Sequence, residues 1–167
     1  MTIYKVTATD GSSFHGGRGK WAAGRWRSVT GNLIPCQHGL HLCRRRDLIA
    51  WLGPVIWEAE YDGEMVEQSD KIVVRRARVI RRLDSWNERT ARLFAADCAE
   101  RVLPIFEKAY PTDDRPRKAI EAARAYARGE ISAAAWAAAW AAACAAAGDA
   151  FNEWATERLF FYLDGGA

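Results

Sequence analysis

The stretch from Gly39 to Tyr61 constrains this chain more than any other, because it reads as strand, short helix, strand. Gly39 opens the first strand, where Leu40 and Leu42 face one way and His41 and Cys43 the other, since side chains alternate across a strand. Asp47 to Leu52 supplies about two helical turns, and Gly53-Pro54 stops them. Val55 to Tyr61 alternates apolar residues with Glu58 and Glu60, the pattern of a strand buried on one face and wet on the other. Two of the three histidines and two of the four cysteines fall between Cys36 and Cys43. A polar site in this chain is expected here.

The flanking segments read as further strands. Ile3 to Ala8 is β-rich and alternating, and Asp10-Gly11 ends it as a turn pair. Ser12 to Lys20 places Gly16, Gly17 and Gly19 beside His15. Glycine lets a backbone approach a ligand closely, and the same composition also makes a flexible loop with a solvent-facing histidine. From Trp21 to Arg27, tryptophan and arginine mix with little periodicity; they either stack on a nucleotide base or cover the sheet. Asp70 to Leu83 is one long strand or two joined by a bend. Its arginines 75, 76, 78, 81 and 82 do not share one alternating face. They either guard an exposed edge or, with Arg44–Arg46, form a phosphate-contacting surface for RNA.

At Asp84-Ser85 the character changes. Ser85 with Glu88 gives a capping-box signature, and the expected helix runs to about Tyr110, with Pro104 inside it as a kink or break. A second helix runs to about Arg128, where Gly129 stops it. Ser132 caps a third, Ala133 to Ala147, in which alanine is interrupted by Trp136, Trp140 and Cys144 along one stripe. Asp149 starts a fourth.

At 167 residues with half of them apolar, the chain suits one domain or a small one with a helical appendage. Residues 1–82 carry 14 Lys and Arg against 8 Asp and Glu; residues 83–167 carry 10 against 13. A basic first half and an acidic second half indicate units with different partners, or units that attract each other. No apolar run reaches the roughly 18 residues a membrane span needs; residues 131–150 come nearest but are mostly alanine. Met1 leads straight into a strand and not into a signal peptide. A cytoplasmic protein with reduced thiols is expected.

Cys36, His38, His41 and Cys43 are four zinc-ligand types in eight residues. A strand sends alternate residues to opposite faces and no second ligand pair follows, so no metal is expected. Glu58, Glu60, Glu67 and Asp70 are carboxylates for acid-base or electrostatic work, or solvated strand residues. In order, Phe14-His15-Gly16, then Gly39 to Cys43 leading into a short helix, then Asp70-Lys-Ile-Val-Val resemble the ADP-ribosyltransferase fold, in its poly(ADP-ribose) polymerase and RNA 2′-phosphotransferase branch. The resemblance covers about residues 1–83. It implies that His15 and Gly16 hold the ribose hydroxyl and nicotinamide amide of NAD. His41 stands where that branch has a tyrosine that stacks on nicotinamide, and Asp70 where it has a glutamate that supports the transition state. Aspartate is shorter by roughly 1.5 Å. Cleavage of the nicotinamide bond builds oxocarbenium-like charge, which a preorganised carboxylate stabilises. The resemblance thus implies NAD as cofactor and His15, His41 and Asp70 as catalytic residues, or an inherited fold with a repurposed pocket.

The second half, from Leu93-Phe-Ala-Ala-Asp-Cys-Ala-Glu-Arg through Asp113-Asp-Arg-Pro-Arg-Lys-Ala-Ile, resembles alanine-rich immunity proteins of actinobacteria and their phages. That likeness implies association with a toxin or host protein and no catalytic residues. Asp97, Glu100, Asp113, Asp114, Arg115 and Arg117 match its pattern, and their simplest use is to cap and cross-link helices. The expected architecture is α+β: residues 1–83 as a small twisted, mainly antiparallel sheet with short helices, and residues 84–167 as an alanine-rich bundle of about four helices. The leading functional expectation is an ADP-ribosyltransferase-like, NAD- or ADP-ribose-binding protein of a phage or bacterial conflict system. The alternative is a non-enzymatic immunity or anti-defence protein that acts by protein binding.

Overall fold

Five strands pair throughout in antiparallel fashion: β1 (Ile3–Thr7), β2 (Arg27–Ser28), β3 (Leu40–Arg44), β4 (Val55–Glu67) and β5 (Ile72–Arg82). The computed structural model describes residues 2–130 and 149–166, and the chain divides into two compact units, Met1–Trp86 and Asn87–Ala167. In the first unit β1 lies between β3 and β4, while β5 pairs with both β3 and β4. Four strands therefore close on one another like a small barrel, and β2 continues the outer edge of β5 beyond β3.

The core of this unit joins Ile3, Trp21, Leu40, Leu42, Ala59, Ile72, Val74, Ala77 and Val79. Burying a Val, Leu or Ile side chain contributes about 1.5–3 kcal/mol, so these residues hold the closed sheet together. In β5 the inward positions run Ile72, Val74, then Ala77, Val79. The step of two becomes a step of three opposite the Asp62/Met65 register shift on β4. That bulge, with a second at Glu58/Ala59, is why the arginines share no single face. Within Asp70 to Leu83, Ile72–Arg82 thus forms one continuous strand, with the phase of its faces changed partway.

Those arginines do not make an open phosphate-binding surface. Arg81 pairs with Glu58 at 2.6 Å and Arg76 with Asp62 at 3.1 Å, while Arg78 pairs with Glu60 and Arg75 with Glu64. The four pairs form a ladder across the β4–β5 hairpin. Arg76 and Arg78 also lie over the Trp26 ring at 4.2 and 4.8 Å. Carboxylates predicted as solvated or catalytic are thereby spent on a cross-strand lattice. Arg44, by contrast, is buried. Its Nη2 donates to Asp47 Oδ1 at 3.0 Å and to the Gln68 carbonyl at 2.7 Å, and its Nη1 to Glu67.

The short helix is a 3₁₀ helix, Arg45–Trp51, beginning two residues before the expected start. The Asp47 carboxylate accepts the Arg44 backbone N–H at 3.0 Å, which closes its first turn and leaves Leu48 fully buried.

The second unit contains α1 (Glu88–Ala109), α2 (Arg115–Ala127) and α3 (Asp149–Leu163). The N-cap is Asn87 and not Ser85. Asn87 Oδ1 accepts the Thr90 N–H at 3.2 Å, and Thr90 Oγ1 accepts the Asn87 N–H at 2.9 Å, so the reciprocal cap forms two residues later than the sequence signature. Trp86, the residue before it, is buried and its indole donates to the Gly53 carbonyl at 2.9 Å. Pro104 lies inside α1, which continues to Ala109; the helix is not split there. Ala96, Leu103, Ile120 and Ala123 pack α1 against α2. The helix expected over Ala133 to Ala147 lies outside the described residues, so three helices are described where about four were expected.

Candidate functional site

In the first unit β1, β3 and the loop from Ser13 to Trp21 enclose a cleft of about 290 Å³. His15, Gly16 and His41 all line it, together with Lys5, Lys71 and Trp51. Asp70 does not line it. Its carboxylate accepts from the Lys71 ammonium at 3.1 and 3.2 Å, and its carbonyl accepts the Trp51 indole N–H at 2.8 Å. Three of the four expected site residues thus share the cleft, and Asp70 reaches it only through its bonds to Lys71 and Trp51.

His15 sits on a turn in the glycine loop and not on a strand. Its Nε2–H donates to the Trp51 carbonyl at 2.9 Å, and its ring meets Trp51 edge to face. The loop is pinned. Arg27 donates to the Lys20 and Arg18 carbonyls at 2.8 and 2.7 Å, and the Trp21 indole donates to Ser13 Oγ at 3.1 Å. Gly19 is required for this. A Cβ there would meet Arg27 Nη2 at 2.8 Å, and φ is +77°.

His41 lies on β3, and its Nε2 accepts the Cys36 backbone N–H at 3.0 Å. Because Nε2 accepts, the proton resides on Nδ1. Burial, then the charges of Lys5 and Lys71, hold the imidazole below its ordinary pKa. Cys36 itself has φ +65°, so His41 braces a strained turn. His38 is turned away, with Nε2 against the Thr30 carbonyl at 2.6 Å. Burial pushes the Cys43 thiol up to about 12, which removes it as a nucleophile near neutral pH. Among the described residues, no three His, Cys, Asp or Glu side chains are grouped to hold a metal ion.

Reasoning from sequence missed the cations. Lys5 is 9% exposed and donates to the His41 carbonyl at 3.2 Å. Burial lowers it to about 8, against the opposing influence of Cys43. Lys71 is 8% exposed; burial lowers its pKa, but the hydrogen bond and charge of Asp70 leave it raised. Every residue of the strand Ile3 to Thr7, Lys5 included, is buried. The indoles work on these cations: Lys5 and Arg27 lie over Trp21 at 5.2 and 4.9 Å, and Lys71 over Trp51 at 4.6 Å. Of the two uses expected for the Trp21–Arg27 segment, covering the sheet describes Trp21, which is buried in the core.

The second unit has its own polar centre. Asp97 on α1 is 8% exposed. Its Oδ1 accepts from Arg124 of α2 at 2.9 Å, and its Oδ2 from Arg158 and Tyr162 of α3 at 2.5 and 2.7 Å. Arg124 also reaches Glu100 at 2.7 and 2.8 Å, and Arg117 reaches Glu107 at 2.6 Å. Asp113 pairs with Arg115, and Asp114 with Lys118 at 2.7 Å. Asp97, Glu100 and Arg117 thus cross-link helices, whereas the Asp113 and Asp114 pairs stay local to the start of α2, where Asp113 Oδ1 also accepts the Arg115 backbone N–H at 3.1 Å.

No described helix is long and apolar enough to cross a membrane. No curated protein and no solved structure matches the chain, and the ADP-ribosyltransferase resemblance of the first half has no support from these comparisons. The family described as Imm-5 like putative immunity protein matches residues 81–158, a stretch that contains α1, α2 and the start of α3. The helical unit, Asp97 and its partner Arg124 included, is similar to that immunity-protein family.

Proposed function

We propose that this chain is a non-enzymatic immunity protein that binds a toxin protein through its helical unit. The match of residues 81–158 to the immunity-protein family carries the reading. Two physical features support it. The Asp97 lattice joins three helices and so presents their outer faces as one rigid surface. On α1, Ile105 is 64% exposed, and Tyr110, just past the helix end, packs on Phe106 at 4.9 Å and is itself exposed; such residues anchor interfaces. The acidic balance of residues 83–167 suits a basic partner.

The test begins with capture of a partner by the full chain, followed by reassembly from purified components. A stoichiometric complex that restores growth on co-expression with the toxin is the expected result, with both effects weakened by Ile105→Asp or Tyr110→Asp. A purified toxin that forms no complex with the chain, or rescue without a complex, overturns the reading.

A second reading is an NAD- or ADP-ribose-binding, ADP-ribosyltransferase-like protein. It draws on His15, Gly16 and His41 sharing one cleft. Against turnover stand the engaged ring of His41 and an Asp70 carboxylate held by Lys71. Calorimetry with NAD, with His15→Ala as control, decides it; no heat at millimolar NAD removes this reading.

A further inference from the structure

We propose that the cleft of the first unit binds the phosphate group of a small phosphorylated molecule, held between Lys5, Lys71, Arg18 and Arg27. This goes beyond the immunity reading, which rests on the other unit.

The charge of the lining is one-sided. Among the described residues it carries those four cations and no aspartate or glutamate. Elsewhere in the unit the arginines of the β4–β5 hairpin are matched by carboxylates rung for rung, so unbalanced positive charge gathers at the cleft. Lys5 sharpens the argument. An ammonium has three donors, and this one is nine-tenths buried with a backbone carbonyl as its hydrogen-bond acceptor. A buried cation without a counter-charge is unfavourable unless an anion completes its shell. Lys71 shares its ammonium with Asp70 but still faces the cleft. Arg27 is fixed by two carbonyls, and Arg18 stands exposed on the glycine loop.

Size and aromatic geometry narrow the ligand. A volume of about 290 Å³ lies at the lower end of the roughly 300–1,000 Å³ of small-molecule sites, which favours a single phosphorylated sugar or nucleoside over a dinucleotide. Trp21 is buried beneath Lys5 and Arg27, and Trp51 has Lys71 over its ring and His15 at its edge. The indoles are thus committed to the cations, so recognition falls on the phosphate and not on a stacked base.

Calorimetry on the full chain at about 0.15 M salt tests this with ribose 5-phosphate, adenosine 5′-monophosphate, adenosine, inorganic phosphate and a short RNA. Both phosphomonoesters bind with similar affinity, and adenosine gives no heat. Arg18→Ala weakens both esters about tenfold, and Lys5→Met abolishes binding with the fold retained by circular dichroism. Inorganic phosphate binding as tightly as the esters supports the same chemistry and assigns the site to the free ion. If Lys5→Met does not fold, the exposed Arg18→Ala decides alone. The proposal is overturned by silence from every phosphate at millimolar concentration, by adenosine matching its phosphate, by binding of RNA alone, or by indifference to Arg18→Ala.

Discussion

The backbone N–H of Cys36 ends on Nε2 of His41, 3.0 Å away. The bond ties the turn carrying φ +65° at Cys36 to the middle of β3, and it makes His41 a brace for the cleft wall. His41→Ala leaves the Cys36 N–H without this acceptor, at a cost of about 0.5–1 kcal/mol, since Cys36 is exposed. The pH dependence has a definite sign. The folded-state pKa lies below the ordinary value of 6.5, so the unfolded chain takes up the proton first as pH falls. The contribution of His41 is full above pH 6.5 and is lost as pH drops through that value toward the folded pKa. Urea midpoints at pH 7.5 and 5.0 should converge between the chain and His41→Ala; an unchanged gap sinks the assignment.

Lys5 gives a second pH signature, of different origin. Its folded pKa of about 8 is below the ordinary 10.5 because of burial, with Cys43 opposing and Arg27 adding to the shift. Below pH 8 the folded chain holds a buried ammonium at a cost of roughly 3 kcal/mol. Between pH 8 and 10.5 the unfolded chain binds more protons, so stability rises with pH. Lys5→Met should therefore stabilise the ligand-free chain at pH 7 by about 2–3 kcal/mol, with the gain shrinking by pH 9.5. A destabilised Lys5→Met at pH 7 contradicts this. A chain that keeps such a lysine keeps a strained group at a site, as function often demands.

Arg44 and Asp47 form a buried pair in the first unit, with side chains nearly inaccessible to solvent. Asp47→Ala leaves the buried guanidinium with the exposed Glu67 as its carboxylate partner and opens the first turn of the 3₁₀ helix, which costs about 3 kcal/mol. Glu67→Gln, at the exposed partner of the same arginine, costs under about 1 kcal/mol. Chemical denaturation of the two variants compares them directly. Equal losses would mean that Arg44 does not depend on Asp47.

How far the sequence reveals this molecule depends on whether the cause is local. The strands around β3 and β4 follow from alternation, and α2 follows from Pro116 at its start and Gly129 past its end. The bulge that shifts β5 between Val74 and Ala77 was illegible, because it is set by the register of the opposite strand. So was the fate of the arginines, since a cross-strand partner cannot be named before the register is known. His15 and His41 were legible as candidates through glycine neighbours and clustering. Lys5 and Lys71 were not, because a lysine in an alternating run reads as a wet face, and only closure of the sheet buries it.

In the helical unit Asp97 collects donors from two other helices, Arg124 on α2 and Arg158 with Tyr162 on α3. Burial, reinforced by the hydrogen bond to Asp97, pushes the Tyr162 hydroxyl up to about 12. Asp97→Ala removes the acceptor shared by Arg124, Arg158 and Tyr162, while Glu100 still pairs with Arg124 and both arginines are partly exposed, so a loss of about 2–3 kcal/mol is expected. Tyr162→Phe removes a single donor and costs about 1–1.5 kcal/mol. The two losses share one carboxylate, so the double variant should lose less than their sum. Spectrophotometric titration supplies an independent check: Tyr162 ionises late, near pH 12, so Tyr162→Phe lowers the absorbance change at the high-pH end by one tyrosine. Additive losses, or a high-pH change as large in Tyr162→Phe as in the parent chain, would show that the three helices are not joined through Asp97.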